Sequence, residues 1–130
     1  MNNLIAIAIV LVGQYYVTPI ASAEPVTKDV VVSVHDVFVP DRVEQGTEAK
    51  VIVSGMFPNS CYRWARAEVA ESTPTLRLVQ AHATVTQTMC LMVLVPFSKE
   101  VNLGRLPSGT HTLRFVNGDE TYFERTLIVQ

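Results

Sequence analysis

Basic runs, paired histidines, catalytic serine motifs and helical periodicity are all missing from this 130-residue chain. Its 10 basic and 12 acidic side chains leave a net charge of −2, and the basic ones are scattered. Nucleic acid needs a concentrated cationic face, so it is excluded as a partner. His35, His82 and His111 stand far apart, with no His-x-His or Glu-x-x-His pair. Cys90 has Met89 and Met92 beside it but no histidine. A blue-copper centre draws on closely spaced Cys, His and Met, so no metal or other cofactor is expected. No Gly-x-Ser-x-Gly elbow occurs. Ser108 near His111 lacks the orienting third group and oxyanion hole that nucleophilic catalysis requires. The carboxylates of Asp119-Glu120 sit in a turn signal, where charge keeps a loop solvated, and Asp36 and Asp41 read the same way. The reading is of a protein that is not an enzyme.

Charge is also absent from the first 23 residues. Leu4 to Val12 is an apolar run, Gly13 follows, and Thr18-Pro19-Ile20 leads into Ala21-Ser22-Ala23. Signal peptidase accepts that small-x-small ending. It predicts cleavage after Ala23, a signal peptide over 1–23 and one domain over 24–130. The n-region Met1-Asn2-Asn3 departs from the usual pattern in carrying no Lys or Arg. A retained anchor over 4–23 is the rival, opposed by Gln14, Thr18, Pro19 and Ser22 in its second half. After cleavage no integral membrane span is expected, and the product is exported to a periplasm or secreted.

Only two cysteines are present, Cys61 and Cys90, and no Cys-x-x-Cys redox pair. An even count in an exported chain points to a disulfide, with two buried thiols as the rival. By chain-entropy arithmetic such a bridge stabilises by about 3.5 kcal/mol. Its formation would also remove the thiolate that a cysteine enzyme needs.

What the rest of the chain does have is a period of two. Val30, Val32 and Val34 alternate with Val31, Ser33 and His35, Asp36 interrupts, and Val37-Phe38-Val39 continue to Pro40. This predicts a kinked first strand whose inward face shifts by one residue. After a turn over 41–46, Thr47 to Ser54 alternate as a half-buried second strand. A loop is expected over 55-GMFPNS-60, a third strand from Cys61 to Val69, and a short fourth at Leu76 and Leu78. Residues 81–86 read as a connection, and 101–103 as a brief edge segment. Thr88 to Val95 is an almost unbroken apolar run, the pattern of a central strand covered on both faces. Thr110 to Val116 and Thr121 to Val129 flank Asn117-Gly118, the dipeptide of a tight hairpin turn. Seven or eight short strands with turns between them predict an all-β fold, a single antiparallel β-sandwich.

Val51 and Val53, Trp64 on the third strand, and 106-LPSGTHTLRF-115 before Asn117-Gly118 carry a resemblance. The chain resembles immunoglobulin-like and fibronectin type III-like modules of exported bacterial proteins. In that fold a Leu-x-x-Gly-x-Tyr pattern makes a tyrosine corner, its hydroxyl bonding back to the chain upstream. Leu106, Gly109 and His111 match that spacing, with His111 in the tyrosine's place as a structural corner. Where an antibody-type domain carries its second cysteine this chain has Leu113, so the resemblance implies the architecture without that bridge. It also implies Trp64 as a core residue.

Aromatic and arginine residues near loops are the remaining functional signal, because such residues concentrate binding energy. Met56, Phe57, Pro58, Asn59, Tyr62 and Arg66 form the candidate partner-binding rim, Phe57 being equally readable as a core plug. The function expected is a non-catalytic binding or structural module contacting a protein, or a component of a cell envelope or host surface. A protease inhibitor presenting loop 55–60 and a periplasmic metal-binding protein are the alternatives.

Overall fold

Alternating apolar and polar residues become strand along most of the computed structural model, which describes residues 12–16 and 26–130. The strands are β1 (Thr27–Val32), β2 (Asp36–Phe38), β3 (Arg42–Val43), β4 (Glu48–Phe57), β5 (Tyr62–Thr73), β6 (Leu76–Thr86), β7 (Val95–Arg105), β8 (Gly109–Val116) and β9 (Tyr122–Val129). Two sheets result. One has the order β1-β6-β8-β9-β3 with β5 also paired to β6, and the other is β2-β4-β7. Among the described residues no helix is long and apolar enough to cross a membrane. Of the proposed signal peptide only residues 12–16 are described, with no strand or helix among them, and the cleavage site at Ala23 and the domain boundary lie outside the described residues.

The all-β, two-sheet reading holds, with two corrections. Among the described residues there are nine strands, and the larger sheet is mixed rather than antiparallel. Leu76–Val79 of β6 run parallel to Thr112–Phe115 of β8, and Arg42-Val43 run parallel to Ile128-Val129. Parallel neighbours need a crossover. Here β7 supplies it, leaving the first sheet for the second before the chain returns as β8.

The inward faces follow from the alternation. Ala49, Val51, Val53 and Phe57 of β4 and Phe97, Val101 and Leu103 of β7 meet Val79, Ala81 and Ala83 of β6 and Leu113, Phe115 and Leu127 of β8–β9 in one apolar core. Near the chain's start Val32, Val34 and Val37 are all buried. The step from 34 to 37 moves the inward face by one residue, as the interrupted pattern implied. Its consequence is larger than a kink, because β1 pairs with β6 in one sheet and β2 with β4 in the other. The interruption is a change of sheet.

Four local expectations change. Gly55, Met56 and Phe57 continue β4 instead of opening a loop, pairing with Phe97, Pro96 and Val95. The Phe57 ring is 4% exposed and stacks on Phe97 at 4.4 Å and Tyr62 at 5.9 Å. It plugs the core and reaches the surface only as lining of the cleft between β5 and β7. β6 is an eleven-residue strand running through 81–86, although Ala81, His82 and Ala83 carry little strand preference. Pairing with both β5 and β1 overrides propensity there. The edge segment expected at 101–103 is part of the longer β7.

At the last hairpin the two strands stand but the turn differs. Asn117 and Glu120 close a four-residue turn, Glu120 takes φ 69°, and Asn117 N–H donates to Thr121 C=O at 2.8 Å. This is a three-residue loop with a bulge, so Gly118 is not needed for positive φ. It is needed for space, since a methyl group there would run into the Val31 carbonyl oxygen. Asn117 Oδ1 accepts the Val34 N–H at 3.0 Å, pinning the hairpin tip to the place where the chain changes sheets.

Candidate binding surface

Thr88 to Val95, the stretch with the best pattern for a buried strand, is the largest departure from expectation. Residues 87–94 form no strand and cross from the end of β6 in one sheet to the start of β7 in the other. Packed sheets lie about 10 Å apart, and the eight residues are consumed by that crossing, with no strand beside them. Met89 and Met92 are 98% and 82% exposed, and Leu91, Val93 and Leu94 are also exposed. Connectivity overrode periodicity here.

The segment is nonetheless held. Cys90 is bonded to Cys61, with Cα atoms 5.4 Å apart. Ser60 N–H donates to Leu91 C=O at 3.1 Å, and Leu91 N–H donates to Ser60 Oγ at 2.8 Å. Asn59 fixes the turn beneath by accepting the Cys61 N–H at 2.9 Å. Main chain and disulfide therefore tie the segment to the turn before β5, while its apolar side chains point to water. Those five side chains form a contiguous exposed apolar stretch, the kind of surface that marks an interaction site. From Thr86 to Ser98 no residue is charged.

Beside this segment a cleft of about 540 Å³ opens, lined by Tyr62, Arg63 and Trp64 of β5 and Val95, Phe97 and Lys99 of β7. Among the described residues β5 pairs only with β6, and β7 only with β4, so each strand has one edge that no described strand covers. Trp64 is half-buried at this opening, its ring 5.8 Å from Phe97, packed on the core without being enclosed by it. A second groove of about 320 Å³ brings Met56, Pro58 and Tyr62 together with Val30–Ser33 and His35.

Of the six residues expected to form the rim, Met56, Pro58 and Tyr62 thus share a groove, Phe57 is core and Asn59 braces the turn. Arg66 lies elsewhere. A bulge between Trp64 and Arg66 takes it off their face, and its guanidinium bonds Asp29 at 2.6 Å and Glu68 at 3.0 Å on the outer face of the larger sheet. His82 sits under that network, donating from Nδ1 to Asp29 at 3.1 Å. Its Nε2 is 3.3 Å from Glu68 but is not aligned for a hydrogen bond. The hydrogen bond from Arg66, and after it the one from His82, hold the Asp29 carboxyl below the usual carboxylate range.

The three histidines stay apart. His35 is exposed where the chain changes sheets, His82 lies under the ion network, and His111 is 1% exposed in the core. Among the described residues no three His, Cys, Asp or Glu side chains converge as a metal would require. His111 Nε2 donates to the Pro107 carbonyl four residues upstream at 2.7 Å. Leu106 is buried beside the core, and Gly109 adopts φ 134°, a conformation open to glycine.

Sequence reasoning missed Met89, Leu91, Met92, Val93 and Leu94 as surface residues. The signal that would have found them is Cys90 itself. A bridge to Cys61 at the start of β5 draws the middle of the run to the end of a strand, away from any position inside a sheet.

A known family covers most of the sandwich. The ORF11 beta-sandwich domain matches residues 51–127, from the middle of β4 into β9, and the chain belongs to that family. No curated protein and no solved structure matches the chain.

Proposed function

We propose that this ORF11-type β-sandwich is an exported, non-catalytic binding module of immunoglobulin-like or fibronectin type III-like kind. It docks on a protein, or on a component of a cell envelope or host surface, through the apolar segment 88–94 and the cleft beside it. The observation that carries this is the segment's exposure combined with its anchoring. Apolar surface of this size is costly to leave in water. Holding it by the Cys61–Cys90 bond and the Ser60–Leu91 pair reduces the entropy lost when a partner covers it. Tyr62, Trp64 and Arg63 next to it are the residue types in which binding energy concentrates. The disulfide is compatible with an oxidising compartment. An inhibitory loop over 55–60 is disfavoured, because Phe57 is enclosed in the core.

In-cell crosslinking with mass spectrometry tests the reading. Leu91→Asp with Met92→Asp is expected to abolish the partner set captured by the native chain, while Arg66→Ala on the outer sheet face leaves it intact. An unchanged partner set from the double variant would exclude the segment as the docking site.

A further inference from the structure

The sequence pattern of a covered strand and the absence of any strand to cover it can be reconciled from outside the chain. We infer that the segment Met89–Leu94 pairs with the same segment of a second copy, so that the docking surface proposed above is a two-fold dimer interface.

Backbone hydrogen bonding carries the inference furthest. Among the described residues, Leu91 is the one residue of this segment whose N–H and C=O are both bonded, both to Ser60. The N–H groups of Met89, Cys90, Met92, Val93 and Leu94 have no acceptor among the described residues. The chain bends at Thr88 and Val93 and runs without a bend between them. In extended chain, neighbouring residues turn their backbone groups to opposite sides. Paired as a strand with Leu91 still facing Ser60, the segment would turn the backbone groups of Cys90 and Met92 outward. Antiparallel pairing centred on Leu91 sets Cys90 opposite Met92 of the second copy, and Met92 opposite its Cys90. Residues paired in this way exchange both hydrogen bonds.

Three further observations select this occupant. First, the surface is apolar and displayed: Met89, Leu91, Met92, Val93 and Leu94 are all exposed, and contiguous apolar surface of this kind marks an interaction site. Second, an uncharged segment from Thr86 to Ser98 has nothing to repel its own copy, and a two-fold contact uses one patch twice. Third, a lipid surface fits less well. Hydrocarbon would leave these N–H groups without acceptors. Of the residues lining the adjacent cleft, two are cationic, Arg63 and Lys99, a thin provision for anionic headgroups.

The test is sedimentation velocity over a concentration series, on the chain as isolated after expression with its own N terminus. Parallel samples carry Leu91→Asp with Met92→Asp, and each is checked for the intact disulfide by non-reducing mass spectrometry and for the β spectrum by circular dichroism. The inference expects a dimer whose dissociation constant rises at least about 100-fold in the double variant. It also expects the Cys90 and Met92 amides to exchange more slowly with deuterium in concentrated than in dilute samples. A monomer at every concentration, or a dimer that survives the double variant, overturns it. If the chain is monomeric yet captures another protein or phosphatidylglycerol vesicles through Leu91 and Met92, the second copy is wrong and the docking reading stands. If neither happens, both fall.

Discussion

Cutting the Cys61–Cys90 bond, with Cys61→Ala and Cys90→Ala together, is the perturbation whose size follows most directly from the fold. The bridge spans a sequence separation of 29, for which loss of chain entropy in the unfolded state is worth about 3.6 kcal/mol at 25 °C. On the native side Cys61 is buried and Cys90 only partly so, so truncation at position 61 adds a small loss of packing. The Ser60–Leu91 hydrogen bonds remain, so the sandwich is expected to fold with its apolar segment loosened. For a domain of this size each kcal/mol moves the melting midpoint by ~4–8 °C, so the variant should melt about 14–29 °C lower. Urea titration of both proteins, followed by the fluorescence of the half-buried Trp64 and by circular dichroism, gives the free energies. Hydrogen exchange should show the Leu91 amide opening far faster in the variant while β6 amides keep their rank. A loss under about 1 kcal/mol, or an unchanged Leu91 amide, would refute the view that the bridge both stabilises the fold and presents the segment.

Other outcomes follow from single contacts. His111→Ala removes a core side chain and leaves the Pro107 carbonyl unpaired, and should cost about 2–4 kcal/mol in a denaturation curve. His111→Phe restores volume without the bond and should recover only part of that, while full recovery would deny the bond a role. Gly118→Ala must push the hairpin tip off Val31 and is expected to cost about 1–3 kcal/mol by thermal melting; an unchanged midpoint would show that the tip is not seated there. Because Asp29 titrates below its unfolded value of 3.8, its contribution is complete above that pH and is lost as pH falls through the lower folded value. Asp29→Asn should therefore flatten the acid side of the stability curve below about pH 4, and an unaltered acid limb would contradict the Arg66–Asp29–His82 geometry.

The parts of the fold that were legible in the chain are those where local pattern and tertiary environment agree. Ala49, Val51 and Val53 alternate and are buried on one face, and Thr110–Val116 and Thr121–Val129 pair as the alternation requires. Leu106, Gly109 and His111 could be placed at a corner because their spacing is local. What was not legible depends on connectivity. Ala81-His82-Ala83 is strand because β5 and β1 lie on either side of it. Val93 and Leu94 are not strand, despite a better pattern, because the chain must change sheets there. At the candidate site the same division holds. Met56, Pro58 and Tyr62 were found from residue type, whereas Met89, Leu91 and Met92 were hidden by resembling a core.

The central claim is that the apolar segment is covered when the protein is at work. Methionine oxidation measures this directly, because Met89, Met92 and Met56 are all exposed in the isolated chain, at 98%, 82% and 44%. Brief peroxide treatment of the dilute purified protein, and of cells or medium containing it, would be compared by mass spectrometry of the two methionine peptides. The account expects Met89 and Met92 to oxidise first in the dilute protein and to be protected at least about tenfold in place. Equal oxidation of Met89 and Met92 in both settings would contradict it.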